Sequence, residues 1–412
     1  MAVYSLLEAI MKYCVWIFVV LLSTLMCEAQ IVQHTKTRDG GRLLQFKENL
    51  RFGANERDDL YLWSGQVVVA ADSQGRIYVA DGRGNRLLRF DQNGKSPELL
   101  GGPGTGPGEF QALYSVQVLA DDRIMAMELA PGVLPSFNWF DAQGNFVRKE
   151  RFTSPQLIPT FPVFAPNGEH YAGSFLSMNM QEGAMELFTG LASKQEALQR
   201  FSLSTQAYNP SFFASPEGLA QFIAEYTYGL MAKLGSATMD REGNLYTAPA
   251  DGYQITRWNA DYSDADRVFE RNYKPKVSTD AHAASMIDAV TEQFMVGPLA
   301  DMVSPAFIQR VKASKEFPIS KKPIFGLMVT DKGHLLAVHD VDGETGRQLV
   351  DVFEEDGTFL GQLESDQYAF LAQGTNQPRM VFVNGQAYTV CQDEDGEQHV
   401  VRYNYLPTTP NR

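Results

Sequence analysis

One pattern limits what this chain can fold into more than any other: a polar turn followed by a short apolar strand, found six times. The clearest copy runs from Asp72 to Phe110 (DSQGRIYVADGRGNRLLRFDQNGKSPELLGGPGTGPGEF). A Ser73-Gln74-Gly75 turn opens a strand at Arg76 to Ala80, and a loop leads to a second strand at Arg86 to Phe90. A turn at Asp91 to Gly94 and a Gly-Pro run complete the unit. The strand Ile77 to Asp81 has counterparts at Ile124 to Glu128, His170 to Ser174, Leu245 to Pro249, Leu335 to His339 and Ala387 to Cys391, each just after an Asp, Asn, Gly or charged turn. A unit of this size cannot bury both faces alone, so repetition at this level implies stacking of one copy on the next.

A second anchor recurs with the first. Phe90 ends the following strand, and its counterparts are Phe140, Phe201, Trp258, Phe353 and Tyr403; four of these aromatics follow an arginine, at Arg89, Arg200, Arg257 and Arg402. An outward polar residue beside an inward aromatic is the period-two pattern of a sheet packed on its neighbours. Before each turn lies a further apolar stretch: Gln66 to Ala71, Tyr114 to Leu119, Thr160 to Ala165, Ser236 to Met239, Gly326 to Val329 and Arg379 to Val383. Small residues near their starts (Gly65, Ser115, Gly235, Gly326) suit strands crowding a central axis. The expectation is an all-β, six-bladed β-propeller.

The ends of the chain bear on closure. Little chain follows Tyr403, so the sixth blade lacks room for its own outer strand, whereas Leu43 to Phe52 (LLQFKENLRF) precedes the first blade unassigned. This segment is expected to pair with the last blade and close the ring, hiding an edge; a strand packed in the core is the alternative. Uneven spacing locates insertions at about 174–233, in blade 3, and at about 274–320, between blades 4 and 5. In the first, Ser215-Pro216 opens a helix with Leu219, Phe222, Ile223 and Tyr226 on one face. In the second, Ser278 or Thr279 caps a helix carrying Met286, Ile287, Val290 and Phe294, and Ser304-Pro305 opens another with Phe307, Ile308 and Val311. Insertions of this kind form lids or rims on one face.

The formal net charge of −14 excludes nucleic acid as the main partner, because that surface needs clustered Lys and Arg. Lys12 followed by an apolar run from Tyr13 to Met26 and the Cys27-Glu28-Ala29 site reads as an export signal over residues 1–29, with the true start at Met11 and the mature domain spanning 30–412. The run is short for a membrane span, so no span is expected in the mature chain. Lipidation at Cys27 is the lesser reading, since Met26 stands where a small residue is expected. Of three cysteines only Cys391 would survive processing, and it reads as a small buried hydrophobe rather than a nucleophile.

With these residues in view, the chain resembles NHL-repeat-like six-bladed propellers, in particular an exported bacterial group with a G-x-G-P-G-E-F signature in its first blade, here Gly104-Thr105-Gly106-Pro107-Gly108-Glu109-Phe110. The stretch Arg271-Asn272-Tyr273-Lys274-Pro275 also looks like that group. The resemblance implies the fold and an envelope location, but no activity. Related propeller enzymes, lactonases and lyases, mostly use a metal held by His or carboxylates near the axis.

Repeat alignment places Asp81, Glu128 and His339 at equivalent strand ends facing the loop-bearing rim, a one-His, two-carboxylate set on blades 1, 2 and 5. Blades 1 and 2 are far round the ring from blade 5, which argues against a shared metal, so no cofactor is expected. Calcium or another divalent ion is the weaker alternative, drawn from Asp340, Asp342 and Glu344 and from Asp393 and Asp395. The Gly101 to Gly108 run lacks a following Lys-Ser/Thr and a helix, so it reads as a connection between blades rather than a phosphate loop. The basic residues Arg310, Lys312, Lys315, Lys321 and Lys322 read as a solvated helix face. Trp63, Tyr114, Thr160, Phe325 and Arg379 fall near the starts of inner strands, on the same rim. Of these, Trp63, Tyr114 and Arg379 join Asp81, Glu128 and His339 as candidate ligand-binding residues for a protein, peptide or glycan. The expected function is an exported binding or scaffold propeller without catalysis; a hydrolase or lyase acting at the central mouth is the alternative.

Overall fold

The computed structural model describes residues 30–33, 44–54, 58–63, 66–130, 133–152, 157–159, 162–179, 184–193, 196–207, 214–225, 234–273, 284, 287–288, 291, 303–313, 323–341, 347–365, 370–371, 379–393 and 395–407. Within them the chain forms six sheets, each an antiparallel series running from an inner to an outer strand. Blade 1 is Val67–Ala71, Ile77–Asp81, Arg86–Phe90 and Glu98–Gly101. Val67 pairs with Asp81 and Ile77 with Phe90, so the strand end and the aromatic of the repeat sit at opposite ends of the second strand. The same register recurs as Ile124 with Phe140, Leu245 with Trp258, Leu335 with Phe353 and Ala387 with Tyr403.

The ring closes as expected. Leu44–Gly53 forms the outermost strand of blade 6, antiparallel to Gln398–Pro407, with Leu44 opposite Pro407 and Gly53 opposite His399. A second N-terminal strand, Gln30–Gln33, was not expected and pairs in parallel with Ala265–Glu270 as a fifth strand of blade 4. The interior is built at the seams. One apolar cluster joins blades 1 and 2 (Tyr78, Leu87, Phe110, Phe140), and others join 2 with 3, 3 with 4, 4 with 5, 5 with 6 and 6 with 1. Each fully buried aromatic among them removes enough apolar surface from water to contribute about 2–3 kcal/mol.

The arginines preceding the aromatics have a defined task. Arg89 donates to the Gln143 carbonyl at 2.5 Å, Arg402 to the Gln92 carbonyl at 2.6 Å, and Arg257 reaches Glu355 at 3.4 Å. Each of these three thus clips the outer turn of the next blade, whereas Arg200 pairs with Glu186 of its own blade at 3.0 Å. Backbone carbonyls in tight turns lack ladder partners and accept such bonds readily.

Blade 3 departs from the expected repeat. Its third strand is Ala184–Ser193, in a ten-residue hairpin with His170–Asn179, and Phe201 lies in the fourth strand, Glu196–Ala207. The position opposite His170 is Ser193, so this third strand carries no aromatic where the other blades have one. Phe201 instead packs on Trp258 of blade 4, ring centroids 5.3 Å apart. Residues 174–179, 184–193 and 196–198 are therefore lengthened sheet rather than insertion.

The helices follow the expected capping. The Ser215 Oγ accepts from the Gly218 N–H at 3.1 Å ahead of Pro216–Glu225, and Ser304 Oγ from Phe307 N–H at 3.2 Å ahead of Pro305–Ala313. Leu219, Phe222, Ile223, Phe307 and Val311 meet Ile287 and the hairpin residues Met185 and Leu187 in one satellite cluster. Arg310 pairs with Glu217 and Lys312 with Asp288, which makes these two cations a clasp between helical segments. Tyr226, Ser278, Thr279, Met286, Val290, Phe294, Lys315, Lys321 and Lys322 lie outside the described residues.

Candidate functional site

Propeller geometry offers two places for chemistry, the axial channel and the strand ends around its rim. The channel runs between inner strands of all six blades and encloses about 220 Å3. Its wall is largely Val, Ala and Met, and its polar Gln117 is already paired both ways with the Phe164 backbone.

The strand ends hold polar groups, each closed by partners of its own. Asp81, 1% exposed, accepts from the Gly84 N–H at 3.1 Å and forms a two-pronged pair with Arg86 at 3.0 and 2.7 Å; Arg86 also binds the Asp59 and Leu62 carbonyls. Glu128, equally buried, accepts from Ser136 Oγ at 2.6 Å, Asn138 Nδ2 at 3.1 Å and the Gln111 N–H at 2.7 Å, and pairs with Lys149. Burial alone would raise the Glu128 carboxyl, but the Lys149 ammonium and these donors outweigh it and hold it below the usual glutamate value.

His339 stands in a group of titratable side chains with Asp351, Tyr253, Arg271 and Tyr273, on the seam between blades 4 and 5. Its Nε2 lies 2.9 Å from Gln362 Nε2 and 3.3 Å from Asp351 Oδ1, the latter a charge contact without full hydrogen-bond geometry. The direction of the Gln362 contact follows the imidazole tautomer, and Nδ1 is a buried atom with no hydrogen-bond partner among the described residues. Asp351 Oδ2 accepts from the Tyr253 hydroxyl at 2.5 Å and from Arg271. Tyr273 donates to the His339 carbonyl at 3.1 Å, its ring 5.7 Å from the imidazole.

Burial works to raise the Asp351 carboxyl, yet His339, Arg271 and Tyr253 together hold it below the ordinary aspartate value. Burial first, then the Asp351 charge, raises the Tyr253 hydroxyl well above its usual range, and burial with Asp340 and Asp351 pushes Tyr273 up to about 12. Every charge in this group is matched within it. With Asp351 fully buried and Nδ1 sealed, the arrangement fastens blade 4 to blade 5.

The other expected residues serve packing or lie close to it. Trp63 is buried between Phe52 and Phe90, centroids 5.8 and 5.9 Å away, and donates Nε1–H to the Leu60 carbonyl at 2.9 Å. Tyr114 is buried in the seam of blades 2 and 3, its carbonyl accepting from Gln66 Nε2 at 3.1 Å, and Phe325 is buried between blades 5 and 6. Arg379 is half-buried, its N–H bonded to the Phe370 carbonyl at 2.8 Å. Thr160, Asp342 and Glu344 lie outside the described residues. The six candidates are distributed around the ring, and among the described residues no three His, Cys, Asp or Glu side chains form a group that could hold a metal ion. Asp393 is the cap of its own turn, accepting from the Asp395 and Glu397 N–H groups and from His399. Sequence reasoning missed Asp351, although a charged residue inside the apolar strand Gln348–Phe353 (QLVDVF) marks a buried partner.

No protein-family model and no curated protein matches the chain. Among solved structures it is similar to a Bacteroides fragilis protein provisionally described as exported, at 10% identity over 92% of this chain and 100% of that one, with a TM-score of 0.47. It is also similar to a gluconolactonase from Xanthomonas campestris (12% identity, 90% and 100% covered, TM-score 0.39) and to a streptogramin B lyase (10%, 88% and 98%, 0.39). At these values the fold rests on the strand pairings above.

Proposed function

We propose that this protein is an exported propeller of a bacterial cell envelope that binds a ligand or partner protein at its loop-bearing rim and performs no catalysis of its own. The observation that carries the reading is the closure of Asp81, Glu128 and His339 by separate local partners, which leaves no shared acid, base or ligand set facing the axis from these strand ends. The N-terminal signal pattern and the resemblance to exported NHL-type propellers support the compartment. No described helix is long and apolar enough to cross a membrane.

The competing reading, a lactonase-like or lyase-like enzyme, draws on the unpartnered His339 Nδ1. The two separate in one experiment. Purified protein is analysed for bound metal and for turnover of a lactone panel, alongside Glu128→Gln and His339→Gln. The binding reading expects no stoichiometric metal and no turnover; a bound divalent ion lost in both variants together with turnover would overturn it. Export is tested separately by the N-terminal sequence of the mature protein, expected to begin at Gln30.

A further inference from the structure

Glycine follows asparagine three times in turns of this chain, at Asn93-Gly94, Asn167-Gly168 and Asn384-Gly385. Both residues suit such turns because they reach left-handed backbone at little cost. The same pair is chemically labile, since glycine has no side chain to shield its nitrogen and asparagine is among the thermolabile residues. In water the glycine nitrogen attacks the asparagine Cγ, its proton leaves with the departing ammonia, and a five-membered succinimide forms. Water then opens that ring at either carbonyl, giving aspartate or, with the main chain rerouted through the side-chain carbon, isoaspartate. The net change is amide plus water to acid plus ammonia, with nothing oxidised or reduced.

The three asparagines are all exposed but are held differently. The Gly94 and Gly168 N–H groups make equivalent turn bonds, to the Asp91 and Ala165 carbonyls at 3.0 and 2.8 Å, so the contrast between these two steps lies in the asparagine amide. Asn167 Oδ1 accepts from the Glu169 N–H at 2.9 Å, which pins the carbonyl that the attack must reach. The Asn384 amide donates to the Ser73 carbonyl at 2.7 Å, and the attacking Gly385 N–H is itself bonded to the Asp331 carboxylate at 2.6 Å. The Asn93 side chain makes no hydrogen bond among the described residues; only its backbone N–H is engaged, by Asp91.

We propose that Asn93 is a site of spontaneous covalent modification, converting to isoaspartate ahead of Asn167 and Asn384, and that the conversion loosens ring closure. The turn at Asp91 to Gly94 is where blade 1 is gripped across the closing seam. The Gln92 carbonyl accepts from Arg402 at 2.6 Å and the Gly94 carbonyl from the Tyr61 hydroxyl at 3.2 Å, and Gly94 lies so near Phe52 that a Cβ would stand 2.4 Å from its ring. An isoaspartate inserts a backbone carbon between those two carbonyls and sets a new carboxylate beside Asp91. The proposal goes beyond the rim reading and does not rest on it.

The test is incubation of the full chain in mildly alkaline buffer, folded and in urea, with peptide mapping by fragmentation that separates isoaspartate from aspartate. The urea rates supply the reference for each local sequence. Relative to them, Asn167 should lag Asn93 about fivefold and Asn384 about tenfold or more, because each must first give up a neutral or a charge-assisted hydrogen bond. The converted fraction, separated on ion exchange by its added charge, should unfold at a lower urea midpoint. Asn93→Gln, whose longer side chain closes such a ring far more slowly, should age without that fraction and keep its midpoint. Folded-state conversion of Asn93 no faster, relative to urea, than that of Asn167 or Asn384 would overturn the assignment. An unchanged midpoint in the converted fraction, or an equal loss in aged Asn93→Gln, would overturn its effect on closure.

Discussion

Replacing Asp351 by Asn would measure how firmly blades 4 and 5 are fastened. The change keeps the volume of a side chain that is 0% exposed, removes the charge facing Arg271 and weakens the acceptor of the Tyr253 hydroxyl. Breaking one side of a buried ion pair costs about 3–5 kcal/mol. The Arg271 side chain keeps 25% of its surface in water, which solvates part of the charge left behind, so the expected loss falls to about 2–3 kcal/mol.

Urea unfolding, followed by the fluorescence of Trp63, Trp139 and Trp258 and by circular dichroism, reads this as a lower midpoint. Arg271→Met should cost a comparable amount, and the double variant should lose less than the sum by about 1–2 kcal/mol. The pH dependence has a definite sign. The folded Asp351 pKa lies below the unfolded value of 3.8, so the ionised carboxylate contributes above that value and its contribution is lost as pH falls through the folded pKa. Wild type and Asp351→Asn should therefore converge in acid below about pH 4. A loss under about 0.5 kcal/mol at pH 7 with strictly additive effects would refute the fastening.

Burial, aided by Lys332 and opposed by Glu354, lowers the His334 imidazole below 6.5; stability should fall as pH drops from about 6.5 toward 5, and His334→Gln should flatten that slope in urea midpoints measured at pH 7.5 and 5.5. Gly94 has φ +66°, and a Cβ there would lie 2.4 Å from Phe52 Cδ1, so Gly94→Ala should lower the melting temperature through a cost of about 1–3 kcal/mol at the closure seam. Burial raises the Cys391 thiol, so peptide mapping after brief treatment with a thiol reagent should find it unlabelled in the folded protein and labelled in urea; rapid native labelling would contradict the packing.

Much of the architecture was legible because each blade spells its own turn and strand locally. Asp72-Ser73-Gln74-Gly75 and Asp240-Arg241-Glu242-Gly243 are turns by residue chemistry alone, and Leu44–Gly53 announced itself as a spare strand where the last blade lacked one. Blade 3 misled because Ser193 replaces the aromatic that marks the third strand elsewhere, so the next aromatic after an arginine, Phe201, stood in for it. The candidate site was legible only in part. His339 was found by its place in the repeat, whereas its partners come from a neighbouring sheet: Tyr253 and Arg271 lie 98 and 80 residues from Asp351. Such pairings follow from how blades abut, and no local pattern encodes them. Trp63 and Tyr114 looked like rim aromatics because position near an inner strand start does not say whether a ring turns to solvent or to the adjoining blade.

The strand that closes the ring also sets an order of events. Asn49 and Arg402, hydrogen-bonded in the finished blade, are 353 residues apart in the chain. At about 5–20 residues per second of synthesis, Leu44–Gly53 waits roughly 20–70 s for its partner to exist. Apart from the Gln30–Gln33 strand that joins blade 4, blades 1 to 5 can assemble from nearby sequence during that interval, but blade 6 and both seams it shares remain incomplete until the final strand arrives. Ring closure is thus the slow, non-local step of folding, and a chain shortened before Gln398–Pro407 would leave an unpaired edge and two open seams for aggregation.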